Sequence, residues 1–204
     1  MVLALLGLLV EAPLDLPANP DFTPNPAKAP WYFLGFQEML VYFDPWLAGV
    51  VIPLIIIAGL ISIPLLDIDP EGAGHYSFRH RIWACMPFTA GVLFLALLTA
   101  IPGWFRGPNW DWYWPWENWS MARPVRSEFS SLPGWIGLSV ISIYYLLGLV
   151  LPILIWPRRF KNWGRIRYSI YFILALSMGA IFIKVLLRLL FNVKYILQTP
   201  WFNI

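Results

Sequence analysis

The sequence predicts an all-α integral membrane protein, a bundle of four full transmembrane helices preceded by a half-helix and a surface helix. Three observations predict it. Hydrophobic residues make up 59% of the 204-residue chain and charged residues only 12%, the balance of a protein solvated by lipid. Four apolar runs each reach about the 20 residues that a bilayer demands. The cations gather beside those runs, where headgroups and water can take them.

In chain order, residues 1–10 are apolar but extend only about 15 Å as a helix, against a hydrocarbon core of about 30 Å. They read as a half-helix or re-entrant segment leaning on a partner, or as the product of a misassigned start. No basic n-region or small-residue cleavage site marks a signal peptide. Prolines 13, 17, 20, 24, 26 and 30 follow. Each fixes φ and removes a donor, so 11–30 is extended. Residues 31–43 predict a short helix near the membrane surface, stopped by Asp44-Pro45, with Gln37 and Glu38 as its strongly polar side chains. Spans are expected at 46–66, 82–101, 135–156 and 168–191.

Loop charges orient the bundle. The connection 157–167 holds Arg158, Arg159, Lys161, Arg165 and Arg167 with no acid, and 67–81 holds Arg79 and Arg81 beside His75 and His80. Four spans put both on one face, cytoplasmic by the positive-inside rule. The proline loop and the connection 102–134 then fall on the periplasmic face. Arg158, Arg159, Lys161 and Arg165 predict contact with anionic lipid, with docking of a cytoplasmic partner as the other reading. Lys184, Arg188 and Lys194 run against the charge rule and are expected to snorkel to headgroups. A net charge of +3, placed beside membrane spans, carries no nucleic-acid signal.

Several chemistries are excluded. Cys85 is the single cysteine, so this chain alone cannot form an intrachain disulfide, a CxxCH haem attachment or an iron–sulfur cluster. Its two histidines, His75 and His80, share one loop and cannot face each other across a b-type haem. No metal site is expected. A transporter reading lacks an inverted repeat and polar residues within the spans.

The order Ala29-Pro30-Trp31-Tyr32, with prolines before it and an aromatic helix and a span ending at Asp67 after it, resembles the C-terminal half of cytochrome b and subunit IV of quinol–plastocyanin reductases. In that family a P-E-W-Y motif lines the quinol-oxidation pocket; here Pro30 stands where the family has glutamate. Phe78-Arg79 is similar to a pair in subunit IV. The resemblance covers 1–102, leaving 103–134 as a Trp-rich periplasmic connection and 135–204 as two additional helices and a tail. It implies a quinone wall made by Pro30, Trp31, Tyr32, Phe33 and Gln37, with the quinol shared with a partner. Haem b would sit on a separate subunit of the cytochrome b N-terminal type, and a periplasmic cytochrome c or iron–sulfur subunit would take the electrons. The setting implied is a bacterial inner membrane. The missing glutamate points to an atypical, menaquinol-using complex in which Glu38, or a partner's carboxylate, relays the proton.

Trp110, Trp112, Trp114 and Trp116 alternate along the connection. An extended backbone would put all four indoles on one side, as an interfacial belt or as a platform for a periplasmic carrier. The rival to the quinol reading is a structural anchor that holds a cytochrome-containing or reaction-centre complex, with its quinone site dead.

Overall fold

The computed structural model describes residues 8, 17, 19–21, 23–67, 78–120, 123–124, 129–160, 163–201 and 203–204. The half-helix expected over 1–10 (Leu8 apart), His75, Lys161 and the side chain of Arg159 lie outside the described residues.

A short helix, α1 (Trp31–Tyr42), precedes the spans. The first span opens with a π-helical turn, Leu47–Val51, and continues as α2 (Ile52–Leu66). The others are α3 (Ile82–Phe105), α4 (Gly134–Ile155) and α6 (Arg165–Phe191), with a four-residue helix α5 (Pro157–Phe160) before α6. Each of the four is long and apolar enough to cross a membrane, so the chain is a multi-pass membrane protein. Apolar length alone predicted them to within a few residues. α3 runs on to Phe105 and α6 begins at Arg165, because neither Pro102 nor Arg167 stops a helix whose other backbone groups must be satisfied internally.

The long helices meet through α6, which packs against α1, α2, α3 and α4. Small residues permit close approach where lipid gives helices no hydrophobic reason to associate. Gly137 of α4 is the sharpest case: a Cβ there would overlap the Ile196 carbonyl oxygen. The tail reaches that notch because Asn192 adopts a left-handed conformation (φ 53°), which turns the chain back at the end of α6. Residues Val193–Tyr195 (β2) then pair in parallel with Ser130–Ser131 (β1). Tyrosines cross-tie α4 and α6: Tyr144 donates to the Leu176 carbonyl at 2.8 Å and Tyr168 to the Leu149 carbonyl at 2.7 Å.

Alternating spans give the bundle two ends. At one end Arg81 pairs with Asp67, Arg167 Nε donates to the Leu65 carbonyl at 3.0 Å, and Trp83 packs edge-on against Phe160. At the other lie α1, the Trp-rich connection and the tail. The buried core sits toward this second end, around Met39, Tyr42, Ala48, Ile52, Leu98 and Val185. Along α4, by contrast, Gly137 alone is buried, and Leu138, Ile143, Leu146, Ile153 and Leu154 are exposed on the face away from α6.

The cations of α6 do not all behave as expected. Lys184 does not snorkel outward: it is 1% exposed, and its ammonium donates to the Lys194 carbonyl oxygen. The turn at Asn192 brings that carbonyl back over the helix, so an acceptor lies closer than any headgroup.

Candidate functional site

The site begins with the proline loop. Pro30 cannot continue a helix backward, but its carbonyl accepts from Phe33 N at 2.9 Å and Leu34 N at 3.1 Å, starting α1. Gln37, about two turns on, folds the loop down: its Oε1 accepts from Ala29 N at 2.7 Å and its Nε2 donates to the Ala27 carbonyl at 2.8 Å. Two further bonds tie the loop to the connection after α3. Asn25 Nδ2 donates to Asn109 Oδ1 at 2.9 Å, and Asn109 N donates to Asn25 Oδ1 at 2.8 Å.

α1 has two faces. One, with Leu34, Gly35, Glu38, Met39 and Tyr42, is buried. Gly35 lets it sit close on α3, since a Cβ would meet Thr99 Oγ1 at 2.8 Å and Leu95 Cδ1 at 3.0 Å. On this face Glu38 is fully buried. Arg106 Nη2 donates to its Oε1 at 2.6 Å, and Nε lies 3.1 Å from both oxygens. The Tyr42 hydroxyl donates to Oε1 at 2.7 Å and Trp110 Nε1 to Oε2 at 2.9 Å. Arg106 Nη1 reaches the Trp110 carbonyl at 3.1 Å. Burial works against the charged guanidinium of Arg106, and the hydrogen bond and charge of Glu38 outweigh it, so its pKa stands above the ordinary value. Burial first, then the Glu38 charge, push the Tyr42 hydroxyl well above the usual tyrosine range. Tyr42 therefore stays a neutral donor. A buried carboxylate with this many donors is satisfied rather than stranded.

The other face borders a groove of about 430 Å³ lined by Ala29, Phe33, Phe36, Gln37, Leu40, Ala48, Gly49 and Pro53. Its volume lies in the range of small-molecule sites, roughly 300–1,000 Å³. One wall is the π-helical turn Leu47–Val51, an irregularity that often marks functional positions. A Cβ on Gly49 would meet nothing within 4 Å.

Of the residues expected around a quinone, Phe33 and Gln37 line this groove. Pro30 sits just before α1. Trp31 and Tyr32 project outward, 76% and 59% exposed, with their rings edge to face at 5.7 Å. Glu38 stands on the opposite face of α1 from the groove, toward α3. Arg158 and Arg165 are exposed at the other end of the bundle.

The Trp-rich connection is not an extended ribbon. A 3₁₀ turn over Pro108–Trp110 carries Asn109 and Trp110 at φ of 58° and 59°. That conformation is unusual for a bulky side chain, and here the indole N–H and the carbonyl of Trp110 are both tied into the Glu38–Arg106 cluster. Trp110 is thereby turned inward, away from the row that strict alternation predicts. The remaining three do associate: Trp112 stacks on Phe105 at 4.9 Å and Trp114 stacks on Trp116 at 5.3 Å, with Trp112 and Trp114 edge to face. Arg106 is the site residue that sequence reasoning passed over, and Trp110 was expected in the outward aromatic row rather than beside Glu38. Two signals could have found them: a carboxylate on an otherwise apolar helix needs a cation at the same end, and Gly107-Pro108-Asn109 is turn chemistry.

These features define a class, a multi-pass helical membrane protein with a proline loop and a short helix seated at one end of its spans. A model of the family described as cytochrome b(C-terminal)/b6/petD matches residues 17–104, so that region of the chain is similar to this family. The family suggests a membrane subunit of a cytochrome b6f- or bc-type complex, working with a cytochrome b N-terminal-type partner. Searches of curated proteins and of solved structures found no match. Such complexes bind haem and quinone. Both histidines of this chain fall in one connection, so it offers no pair to face each other across one haem.

Proposed function

We propose that the chain is a membrane subunit of a quinol-oxidising electron-transfer complex of a bacterial inner membrane, and that the groove between α1 and the π-helical turn forms one wall of its quinol site. The observation that carries this reading is the coincidence of the family match with an apolar groove under the proline loop. When bound, the quinol supplies two electrons and two protons to neighbouring groups. This chain's residues bind and orient it: Phe33, Phe36 and Leu40 offer apolar surface, and Gln37 holds the loop that closes one side. Trp31 and Tyr32 face outward, where a haem b subunit would complete the pocket; Tyr32 can donate to a quinone carbonyl. Trp114 and Trp116, exposed beside the partly buried Trp112, offer a docking surface for a periplasmic cytochrome c or iron–sulfur subunit. Menaquinol is the substrate in this reading.

Replacing Gly49 by Leu tests the groove. The variant complex should assemble with its full haem content and lose quinol turnover at least about tenfold, since the added side chain occupies the apolar slot. Unchanged turnover would favour the anchor reading, in which the outward Trp31 and Tyr32 serve only to grip lipid or a neighbour.

Glu38 has two roles open to it in this reading. As a proton relay it must act through Tyr42 or Trp110, which touch it. Its full burial and pairing with Arg106 favour a clamp that positions α1. Glu38→Gln separates them: a relay loses turnover and shifts the pH profile in an intact complex, whereas a clamp lowers the melting temperature and leaves the profile in place.

A further inference from the structure

The tail and the end of α6 collect positive charge without matching acid. Lys184 and Arg188 lie one turn apart on α6, and Lys194 follows on β2. Lys184 is 1% exposed with the Lys194 carbonyl as its acceptor. Arg188 lies 3.8 Å over the Phe129 ring, and its Nη1 is buried with no hydrogen-bond partner. Lys194 lies 5.2 Å over Tyr195 and 6.0 Å over Phe129. Among the described residues none of the three pairs with a carboxylate, and Glu38, the buried carboxylate of this end, is already taken by Arg106. A buried ammonium such as Lys184 and a buried guanidinium nitrogen such as Arg188 Nη1 are retained where a counter-charge meets them.

We propose that this corner is a binding site for an anionic phospholipid, with the phosphodiester received by Arg188 and Lys194 over the buried ammonium of Lys184. A lipid fits better than a free ion. The last turn of α6 exposes Leu189, Leu190 and Phe191 beside the cations, so one molecule with an anionic head and acyl tails meets both surfaces. A guanidinium fork matches phosphate oxygens in pairs, and the orphaned Nη1 supplies the spare donor.

The test uses the intact complex in detergent, stripped of loosely held lipid and titrated with phosphatidylglycerol, phosphatidylcholine or inorganic phosphate, with bound mass read by native mass spectrometry. Phosphatidylglycerol should bind, and Arg188→Gln and Lys194→Gln should each weaken it about tenfold, the size of one charge-assisted pair. Lys194 is exposed, so its variant leaves folding untouched. Equal binding in both variants overturns the site. So does displacement of the lipid by inorganic phosphate, or a carbodiimide cross-link from Lys194 to an acidic side chain of a co-purifying subunit, which would assign the counter-charge elsewhere.

Discussion

The two ends of this bundle are fastened by different physics. At the α1 end the decisive contacts are polar and few: Glu38 with Arg106, Tyr42 and Trp110, and Asn25 with Asn109. At the opposite end the fastening is aromatic and distributed. Phe160 meets Trp83, Trp163, Tyr168 and Phe172 edge to face at 5.2–5.7 Å, and the Arg81–Asp67 pair is partly exposed. Aromatic edges tolerate small shifts. A guanidinium fork on a buried carboxylate does not, because displacement leaves charge without a partner. The difference teaches where geometry matters: the groove and the proline loop lie at the end with the stricter fastening.

Three substitutions sharpen that contrast. Arg106→Leu should have the largest effect, about 3–5 kcal/mol, because it leaves Glu38 buried and unpaired. Denaturation of the purified complex would show it, and the double variant Glu38→Leu/Arg106→Leu should recover most of the loss. If the single variant melted like the parent, the clamp would not govern this end. Phe160→Leu should cost less, about 1 kcal/mol, since it keeps apolar area and removes only the ring-edge contacts; turnover at the far end should be unaffected. Asp67→Asn should be smallest, below about 1 kcal/mol, and should vanish at high salt, as for other solvent-screened pairs. A large, salt-independent loss there would erase the distinction between the ends.

Much of the fold was legible because bilayer thickness imposes one length on every span. The aromatic helix was legible too, bracketed by Pro30 and by Asp44-Pro45. The site was harder. Glu38 and Arg106 are far apart in sequence, and nothing in the apolar periodicity of α1 says which side chain at the exit of the second span will meet its carboxylate. The alternation of tryptophans misled for a local reason: the left-handed residues Asn109 and Trp110 rotate one indole out of a period-two pattern. Lys184 misled for a tertiary one, since its acceptor is a carbonyl ten residues on that only the turn at Asn192 brings back.

The notch at Gly137 carries a consequence for biosynthesis. It receives the backbone of Ile196, which leaves the ribosome 59 residues later (196 − 137). At about 5–20 residues per second, α4 waits several seconds beside the translocon before its seat is filled. The last two spans therefore lock as a pair, late, and whatever chaperones or sister chains stand nearby in that interval meet α4 while its inner face is still vacant.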